Sequence, residues 1–296
     1  MGFFHSLVYE PNVNRLLRNV NRILSPLLPE HIKIHPSGSI KVDVGNGIAF
    51  RLKTNQTSYI TRELFWDKPE NFEYTPLFIE LVKKVETFWD VGTNIGYYSI
   101  LGCMVNPKLK VHAFEPSMGP MTYLEENIKI NNIADRVKIE PVALSDVNGD
   151  IEFYQIHNPK FPDTLNLSGE HNIGTKTQLP SKKVKVRSSR LDDYNQPNKR
   201  IDLIKIDTEG AEVHVLKGSQ ETIKTQQPII ICETLFNGNE GQIEALLKDE
   251  DYLFFNHTEK GLEEVPTLVR EKDNGVRNCF MVPRSKKDMI MSLIAR

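Results

Sequence analysis

The sequence has few cysteines, little net charge and no unusual excess of histidine, and each of these shortages excludes a class of protein. Its three cysteines, Cys103, Cys232 and Cys279, lie far apart and form no C-x-x-C pair. They predict neither a disulfide framework nor a zinc site, so we expect small buried side chains in a cytoplasmic protein. The spacing of the histidines suggests no other metal site. A formal net charge of −2 over 296 residues gives no reason to expect nucleic acid as a partner.

Long apolar runs are also lacking. The run at 229–232 is far too short to cross a bilayer, and the N-terminus has no apolar stretch typical of a secretory signal. Residues 13–28 nevertheless have apolar side chains at helical spacing, with Arg15, Arg18 and Arg22 between them. This pattern predicts a basic amphipathic helix that packs on its own domain, and contact with a membrane surface or a partner is the alternative.

In the rest of the chain the predicted secondary structure changes near residue 72. Before it, the segments 31–34, 39–44 and 48–52 are separated by glycine turns and predict a small antiparallel meander. With the first helix, this meander forms an N-terminal extension over residues 1–71. From residue 72 to 296 strands and helices alternate, which predicts an α/β domain with a doubly wound, mostly parallel sheet.

The predicted elements of the α/β domain, in chain order, are helix 72–84, strand 87–91, helix 95–104, strand 110–114, helix 118–131, strand 137–144, strand 201–206, helix 211–217, strand 228–233, helix 242–247 and strands 252–256 and 278–282. Between two of these strands, residues 158–185 are polar and show no periodicity. A loop of that length inside a domain is usually functional or disordered, so we interpret it as a substrate lid.

The strongest local signal follows the strand at 87–91. Asp90 lies near its end, Gly92 makes a turn, and Gly96 lies at the entrance to a helix. Gly92 allows a ligand to approach the backbone, and Gly96 allows a helix to pack closely. Because open α/β sheets bind ligands at the carboxyl ends of their strands, this turn predicts a ligand site.

Glu115 ends the next strand, one βα unit after the glycine turn. A carboxylate in that place can accept both ribose hydroxyls of a nucleoside, so the two signals predict an adenosine-type cofactor. A dinucleotide site would need glycine in place of Asn94, and the charge of Asp90 disfavours a diphosphate there. The pattern favours the cationic S-adenosylmethionine, and an NAD-dependent oxidoreductase is a weaker alternative.

Charged residues also occur where a buried parallel strand should be apolar. Lys205, Asp207 and Glu209 alternate with apolar residues at the end of one strand, and Glu233 ends the following one. We interpret these four residues as a catalytic group at the ligand-binding edge, with Asp207 and Glu209 as the preferred pair for removing a proton. A purely structural ion-pair cluster is the alternative.

These motifs resemble the FkbM family of methyltransferases. The similarity extends over roughly residues 72–282 and is most specific over 205–218; the segments that carry it are 90–99, 113–116, 142–149, 191–193, 201–212 and 215–218. The resemblance implies a class I methyltransferase fold, S-adenosylmethionine as cofactor, and methylation of a hydroxyl oxygen of a sugar, glycan or natural product.

The resemblance also implies a role for each cofactor-binding residue. Those at the methionine end would be Asp90, Gly92, Asn94 and Gly96. Glu115 would bind the ribose, and Val142 and Ala143 would lie beside the adenine. A non-catalytic protein that keeps the cofactor pocket and contacts a partner through the same edge is the alternative from a different class.

Overall fold

A mixed β-sheet forms the centre of the computed structural model, which describes residues 3–25, 29, 32–157, 164–167, 180–195 and 199–295. The strands in chain order are β1 (Gly38–Asp43), β2 (Ala49–Thr54), β3 (Thr87–Val91), β4 (Lys110–Phe114), β5 (Val137–Glu140), β6 (Ala143–Leu144), β7 (Gly149–Ile156), β8 (Ser181–Ser189), β9 (Leu203–Ile206), β10 (Ile229–Glu233), β11 (Tyr252–Thr258), β12 (Gly261–Val265) and β13 (Asn278–Pro283).

The α-helices surround this sheet. They are α1 (Phe3–Val8), α2 (Pro11–Leu24), α3 (Tyr59–Trp66), α4 (Thr75–Val82), α5 (Tyr97–Val105), α6 (Met118–Ile130), α7 (Leu191–Tyr194), α8 (Glu212–Lys217), α9 (Gln220–Gln226) and α10 (Glu240–Leu247). Short 3-10 helices occur at Pro69–Asn71 and Arg284–Leu293. Among the residues described, no helix is both long and apolar enough to span a bilayer.

The order of the strands confirms the predicted doubly wound sheet. Within the described residues, eight strands pair in the order β12-β11-β13-β10-β9-β3-β4-β5. The five strands from β10 to β5 are parallel, and the three at the other end pair antiparallel. The chain passes from β3 to β4 on one side and later returns to β9 on the other. The carboxyl end of β3 is therefore the switch point at which such sheets bind ligands.

Two apolar layers cover the faces of the sheet. Consecutive strand residues point to opposite faces, so Phe88 packs in one layer and Trp89 in the other. The first layer also contains Ile40, Val42, Phe50 and Leu52 of the β1–β2 hairpin. The hairpin is therefore continuous with the core that holds the sheet.

The predicted three-stranded meander is wrong, because only β1 and β2 pair in this region of the described chain. Residues 32–34 are not a strand, and His31 lies outside the described residues. The backbone N–H of Ile34 donates instead to Asn21 Oδ1, at 2.8 Å. A side chain of α2 thus satisfies the donor that a third strand would have used.

Helix α2 does pack on its own domain, but through its polar side. Asn14, Arg18 and Asn21 are buried, whereas Leu16 is 66 % exposed and Ile23 78 % exposed. The cause is a set of backbone carbonyl groups before and within β1. The Arg18 guanidinium donates to the carbonyl oxygens of Ser37 at 2.6 Å and Ser39 at 2.5 Å. The amphipathic pattern did not indicate which side of the helix faces the domain, and in the structure it is the polar side.

The region after β5 also differs from prediction. The predicted strand 137–144 is divided into β5 and β6, and β6 joins a second sheet of order β6-β8-β7. Of the predicted lid at 158–185, residues 158–163 and 168–179 lie outside the described residues. Its last residues are part of β8, which pairs with β7 from Gly149↔Ser188 to Ile156↔Ser181. The loop therefore ends earlier than predicted, and the lid itself stays a prediction.

Candidate active site

A cavity of about 600 Å³ opens at the carboxyl ends of β3, β4, β9 and β10. The cavity brings together most of the residues predicted to bind the cofactor and all four residues predicted to be catalytic. Those that line it are Gly92, Asn94, Glu115, Val142, Ala143, Lys205, Asp207, Glu209 and Glu233. Asp90 and Gly96 do not line it. The strand order explains this meeting, because residues more than 100 positions apart end neighbouring parallel strands.

Contacts within the protein require both glycines of the turn. Gly92 has φ +74°, and a Cβ there would lie 1.8 Å from the carbonyl oxygen of Asp207. Gly96 has φ +90°, and its Cβ would lie 2.6 Å from Leu124 Cδ1 of α6. Both positions therefore require glycine. Gly96 packs against a neighbouring helix rather than at the cavity surface.

Asp90 lies beneath the turn and does not reach the cavity. Its Oδ2 accepts hydrogen bonds from the hydroxyls of Thr93 and Ser99, each at 2.7 Å. Its Oδ1 lies 3.5 Å from Lys205 Nζ, since the two residues are register partners on β3 and β9. The structure thus gives Asp90 a supporting position, which differs from the expected position beside the cofactor.

Glu115 is held in place by the turn. Its Oε2 accepts the backbone N–H of Asn94 at 3.0 Å, and its Oε1 accepts that of Ser117 at 2.9 Å. Asn94 has φ +53°, a left-handed conformation that directs its N–H toward the carboxylate. An ionised carboxylate has about four acceptor sites, so it can accept hydrogen bonds from backbone donors and from the hydroxyls of a ligand at the same time.

An apolar slot adjoins Glu115. Its walls come from the end of β4, from the segment after β5, from β7 and from the described piece at 164–167, and its residues are Phe114, Pro116, Val142, Ala143, Phe153 and Leu167. The backbone N–H of Leu167 donates to Thr57 Oγ1 at 2.8 Å, which joins this piece to the N-terminal hairpin region. A planar heterocycle next to a ribose fits such a slot, since aromatic and aliphatic walls bury its faces.

The other end of the cavity is acidic around one buried cation. Lys205 Nζ lies 3.3 Å from Asp207 Oδ2 and donates to the carbonyl oxygen of Gly92, also at 3.3 Å. Burial by itself would lower the pKa of Lys205, but the charges of Asp207 and Asp90 outweigh it and raise that pKa. Lys205 therefore stays charged and links the two ends of the cavity.

Two glutamates that line the cavity have strongly raised pKa values. Burial raises the pKa of Glu233 to about 8, and the charges of Asp207 and Glu209 add to the effect. Burial, followed by the charge of Asp207, raises the pKa of Glu73 to about 7. Carboxyl groups that titrate near neutral pH can exchange protons under physiological conditions.

Sequence reasoning missed Glu73, which precedes α4. Its Oε2 accepts a hydrogen bond from Tyr98 Oη at 2.9 Å, and its φ of +46° is uncommon for a residue with a side chain. Tyr98 in turn stacks on Tyr74, with ring centroids 4.7 Å apart. Only these tertiary contacts bring Glu73 to the cavity, and no motif around it signals such a role.

Sequence reasoning also missed the side chain that shapes the loop after β9. Glu212 is fully buried, and its Oε1 accepts the backbone N–H groups of Thr208 and Gly210, each at 3.0 Å. Its Oε2 accepts from Asn239 Nδ2 at 3.1 Å. This anchor holds Glu209 in a left-handed conformation, with φ +56°, at the cavity surface.

The three cysteines are buried and unpaired, as predicted. In the described part of the chain, no three His, Cys, Asp or Glu side chains are grouped closely enough to hold a metal ion.

Comparison with known proteins assigns the chain to a family. A family model described as the methyltransferase FkbM domain matches residues 90–259, which is more than half of the chain. Methyltransferase sdnD of Sordaria araneosa is 30 % identical over 188 residues, which cover 55 % of this chain and 72 % of the relative.

Two further relatives cover more of the chain. Hexuronic acid methyltransferase AglP of Haloferax volcanii is 26 % identical over 220 residues, covering 72 % of this chain and 76 % of the relative. The 31-O-demethyl-FK506 methyltransferase FkbM of Streptomyces tacrolimicus is 27 % identical over 224 residues, covering 68 % and 84 %. The range matched by the family model includes the glycine turn, Glu115, and the group formed by Lys205, Asp207, Glu209 and Glu233. The resemblance in the sequence is therefore confirmed: the chain belongs to the FkbM family of methyltransferases, whose catalysis depends on S-adenosylmethionine.

Proposed function

We propose that this protein transfers a methyl group from S-adenosylmethionine to a hydroxyl oxygen of a sugar, glycan or polyhydroxylated natural product. The observation that carries the proposal is the division of one cavity into a nucleoside-binding end and an acidic end. The names of two relatives support the acceptor class, because one acts on a hexuronic acid and the other on a demethylated oxygen of FK506.

The residues at the first end fit the adenosine part of the cofactor. The Glu115 carboxylate, already oriented by two backbone N–H groups, accepts hydrogen bonds from the ribose hydroxyls. Val142 and Ala143 lie in the apolar slot that suits the adenine. NAD fits less well, because the backbone N–H of Asn94 donates to Glu115 and is not directed toward a diphosphate.

S-adenosylmethionine supplies an electrophilic methyl group when it is bound. The protein has to bind the acceptor next to that group and take up the proton of its hydroxyl. Glu73 and Glu233 suit the second task, since a carboxyl group with a pKa near 7 or 8 accepts a proton more readily than an ordinary one. Either glutamate, in its ionised form, accepts the hydroxyl proton as the oxygen forms its new bond to carbon.

Lys205, Asp207 and Glu209 then act as supporting groups. The Lys205 ammonium pairs with Asp207 and keeps that carboxylate in place at the cavity wall. Asp207 and Glu209 contribute to the raised pKa of Glu233. This division of roles modifies our interpretation of the sequence, which preferred Asp207 and Glu209 as the pair that removes the proton.

A polyhydroxylated acceptor suits the acidic end because several hydroxyls can donate to several carboxylates at once. Asn278 and Arg277 also line this end, and the Arg277 guanidinium is fixed by Asp273 Oδ1 at 3.0 Å. These two side chains offer the donors that such an acceptor needs for its ring and carbonyl oxygens.

The experiment uses purified full-length protein, S-adenosylmethionine with an isotopically labelled methyl group, and fractions of small polar metabolites and released glycans. We expect label in a hydroxylated compound as an O-methyl ether, and much less label with the Glu115→Ala variant when the cofactor is not saturating. If wild-type protein binds the cofactor but labels no compound, the chain is a non-catalytic binding protein and the proposal is wrong. Label found only on nitrogen or carbon would reject the acceptor class alone.

A further inference from the structure

The outer side of α2 carries a cluster of exposed apolar side chains. Leu16, Val20, Ile23 and Leu24 are all exposed there, with Leu16 and Ile23 the most exposed. Leu16, Val20 and Ile23 are spaced by four and three residues, so they share one side of the helix. We call these four residues the α2 apolar face. Leu7 of α1 is also exposed nearby in the sequence.

The exposure of the α2 apolar face follows from how the helix is held. Asn14 Nδ2 donates to the carbonyl oxygens of Val8 and His35, each at 3.1 Å, and Asn14 Oδ1 accepts the backbone N–H of Ser37 at 2.7 Å. Arg18 donates to Asn14 Oδ1 at 2.8 Å besides its bonds to β1. Turning the helix to bury its apolar side would separate these polar groups from their partners, and each buried polar group left unsatisfied costs about 1–3 kcal/mol.

The charge around the α2 apolar face has one sign. Arg15 and Arg22 are exposed and lie seven residues apart on one flank of the helix, and α2 contains no aspartate or glutamate. The preceding acid, Glu10, is engaged in capping, since its carboxylate accepts the backbone N–H groups of Asn12 and Val13. Arg22 also lies 5.1 Å above the Phe65 ring, which holds it at the side of the helix.

We infer that the α2 apolar face docks on an anionic membrane surface, with the helix lying parallel to the bilayer. An apolar stripe flanked by arginine, on a helix that contains no acidic residue, matches the acyl chains and the anionic headgroups of such a surface. A second copy of the chain fits less well, because a symmetric contact between two α2 helices would bring arginines together without any acid on either helix.

This docking is independent of the methyl-transfer chemistry, so its test needs neither cofactor nor acceptor. Full-length protein is mixed with vesicles of phosphatidylcholine alone or with added phosphatidylglycerol, and the bound fraction is measured by flotation. We expect binding to the anionic vesicles that weakens as sodium chloride is raised, and much weaker binding to the neutral ones.

Variants separate the apolar and the charged contributions. Leu16→Ser with Ile23→Ser should lower the partition coefficient about tenfold or more, because two large side chains no longer enter the interface. Arg15→Gln with Arg22→Gln should lower binding to anionic vesicles by about fivefold per arginine. The matched control is Val269→Ser with Met291→Ser, which changes two apolar residues of similar exposure elsewhere and should leave binding unchanged.

Three results would overturn the inference. The first is no binding of wild-type protein to either kind of vesicle at low salt. The second is equal loss of binding in the control and in the α2 variant, measured on proteins with the same thermal midpoint. The third is a dimer, seen by light scattering, that Leu16→Ser with Ile23→Ser converts to a monomer, because a second copy would then cover the face.

Discussion

The two ends of the cavity use the same side chain, glutamate, in two different environments. At the nucleoside end Glu115 accepts two backbone N–H groups, so its oxygens are oriented as hydrogen-bond acceptors. At the acidic end burial, with the charges of neighbouring carboxylates adding to it, raises the pKa of Glu73 to about 7 and that of Glu233 to about 8. The comparison shows that environment sets the properties of a carboxylate: hydrogen-bond donors orient its oxygens, whereas burial among like charges raises its pKa.

The largest expected effect would come from neutralising the acidic end. Glu233→Gln and Glu73→Gln keep the shape of the side chain but remove its ability to accept a proton. The variant of the glutamate that takes up the hydroxyl proton should turn over the acceptor, once labelling has identified it, about 100 to 10,000 times more slowly. Affinity for S-adenosylhomocysteine should stay within about twofold, because neither side chain belongs to the nucleoside end.

Glu259→Gln is the matched control, since Glu259 is exposed and does not line the cavity. Full turnover in both glutamine variants would show that the raised pKa values have no catalytic role. A large loss of cofactor affinity in either variant would mean that the two ends are not separate in function.

The next effect concerns the nucleoside end. Glu115→Ala should weaken the binding of S-adenosylhomocysteine by about 1.5–3 kcal/mol, the range for a lost hydrogen bond to a charged group. Calorimetric titration measures this change directly. Glu86→Ala is the control, since Glu86 is exposed and precedes β3, at the opposite end of the strand from the cavity. Unchanged affinity in Glu115→Ala would place the ribose elsewhere in the cavity.

A smaller effect should appear in the pH dependence. The proton acceptor works only when ionised, so turnover should rise with pH by up to about tenfold per unit below its pKa and level off above it. The values for Glu73 and Glu233 place this rise between about pH 6 and about pH 8. The rise should be lost or displaced in the glutamine variant of the residue responsible. A turnover that falls over this interval would contradict a carboxylate base.

The smallest effect would be on stability. Asp207→Asn removes one partner of the buried Lys205, but Asp90 remains 3.5 Å away and Asp207 itself is partly exposed. We expect a loss of about 1–2 kcal/mol in the free energy of unfolding, below the range for a pair that is buried on both sides. Glu209→Gln should cost less, since it leaves the Lys205–Asp207 pair intact. Equal thermal midpoints for the two variants and wild type would argue against the ion pair.

The nucleoside end could be predicted from sequence because its signals are local. β3 and β4 begin and end where the sequence predicted, since apolar strands followed by glycine or by an acid and proline have clear limits. Gly92 and Glu115 follow those strands directly. The positions of Lys205 and Glu233 were also predicted, because a charge in a buried strand is unusual enough to indicate its end.

The remainder depends on contacts between distant segments. Glu73 reaches the cavity through Tyr98 and the packing of α4, which no local pattern encodes. β8 begins with polar residues and only Val184 and Val186 alternate with charged ones after them, so the pattern is too short to distinguish the strand from a loop, and pairing with β7 defines its limits. The side of α2 that faces the domain could not be predicted either, because backbone carbonyl groups distant in the sequence bind its asparagine and arginine side chains.

We propose above all that the end of the cavity around Glu115 holds S-adenosylmethionine. Calorimetric titration of the wild-type protein with S-adenosylhomocysteine, and separately with NAD, tests it without knowledge of the acceptor. We predict saturable one-to-one binding of S-adenosylhomocysteine and at least about tenfold weaker binding of NAD, because no free backbone cradle for a diphosphate accompanies the turn. Tighter binding of NAD than of S-adenosylhomocysteine would contradict the account.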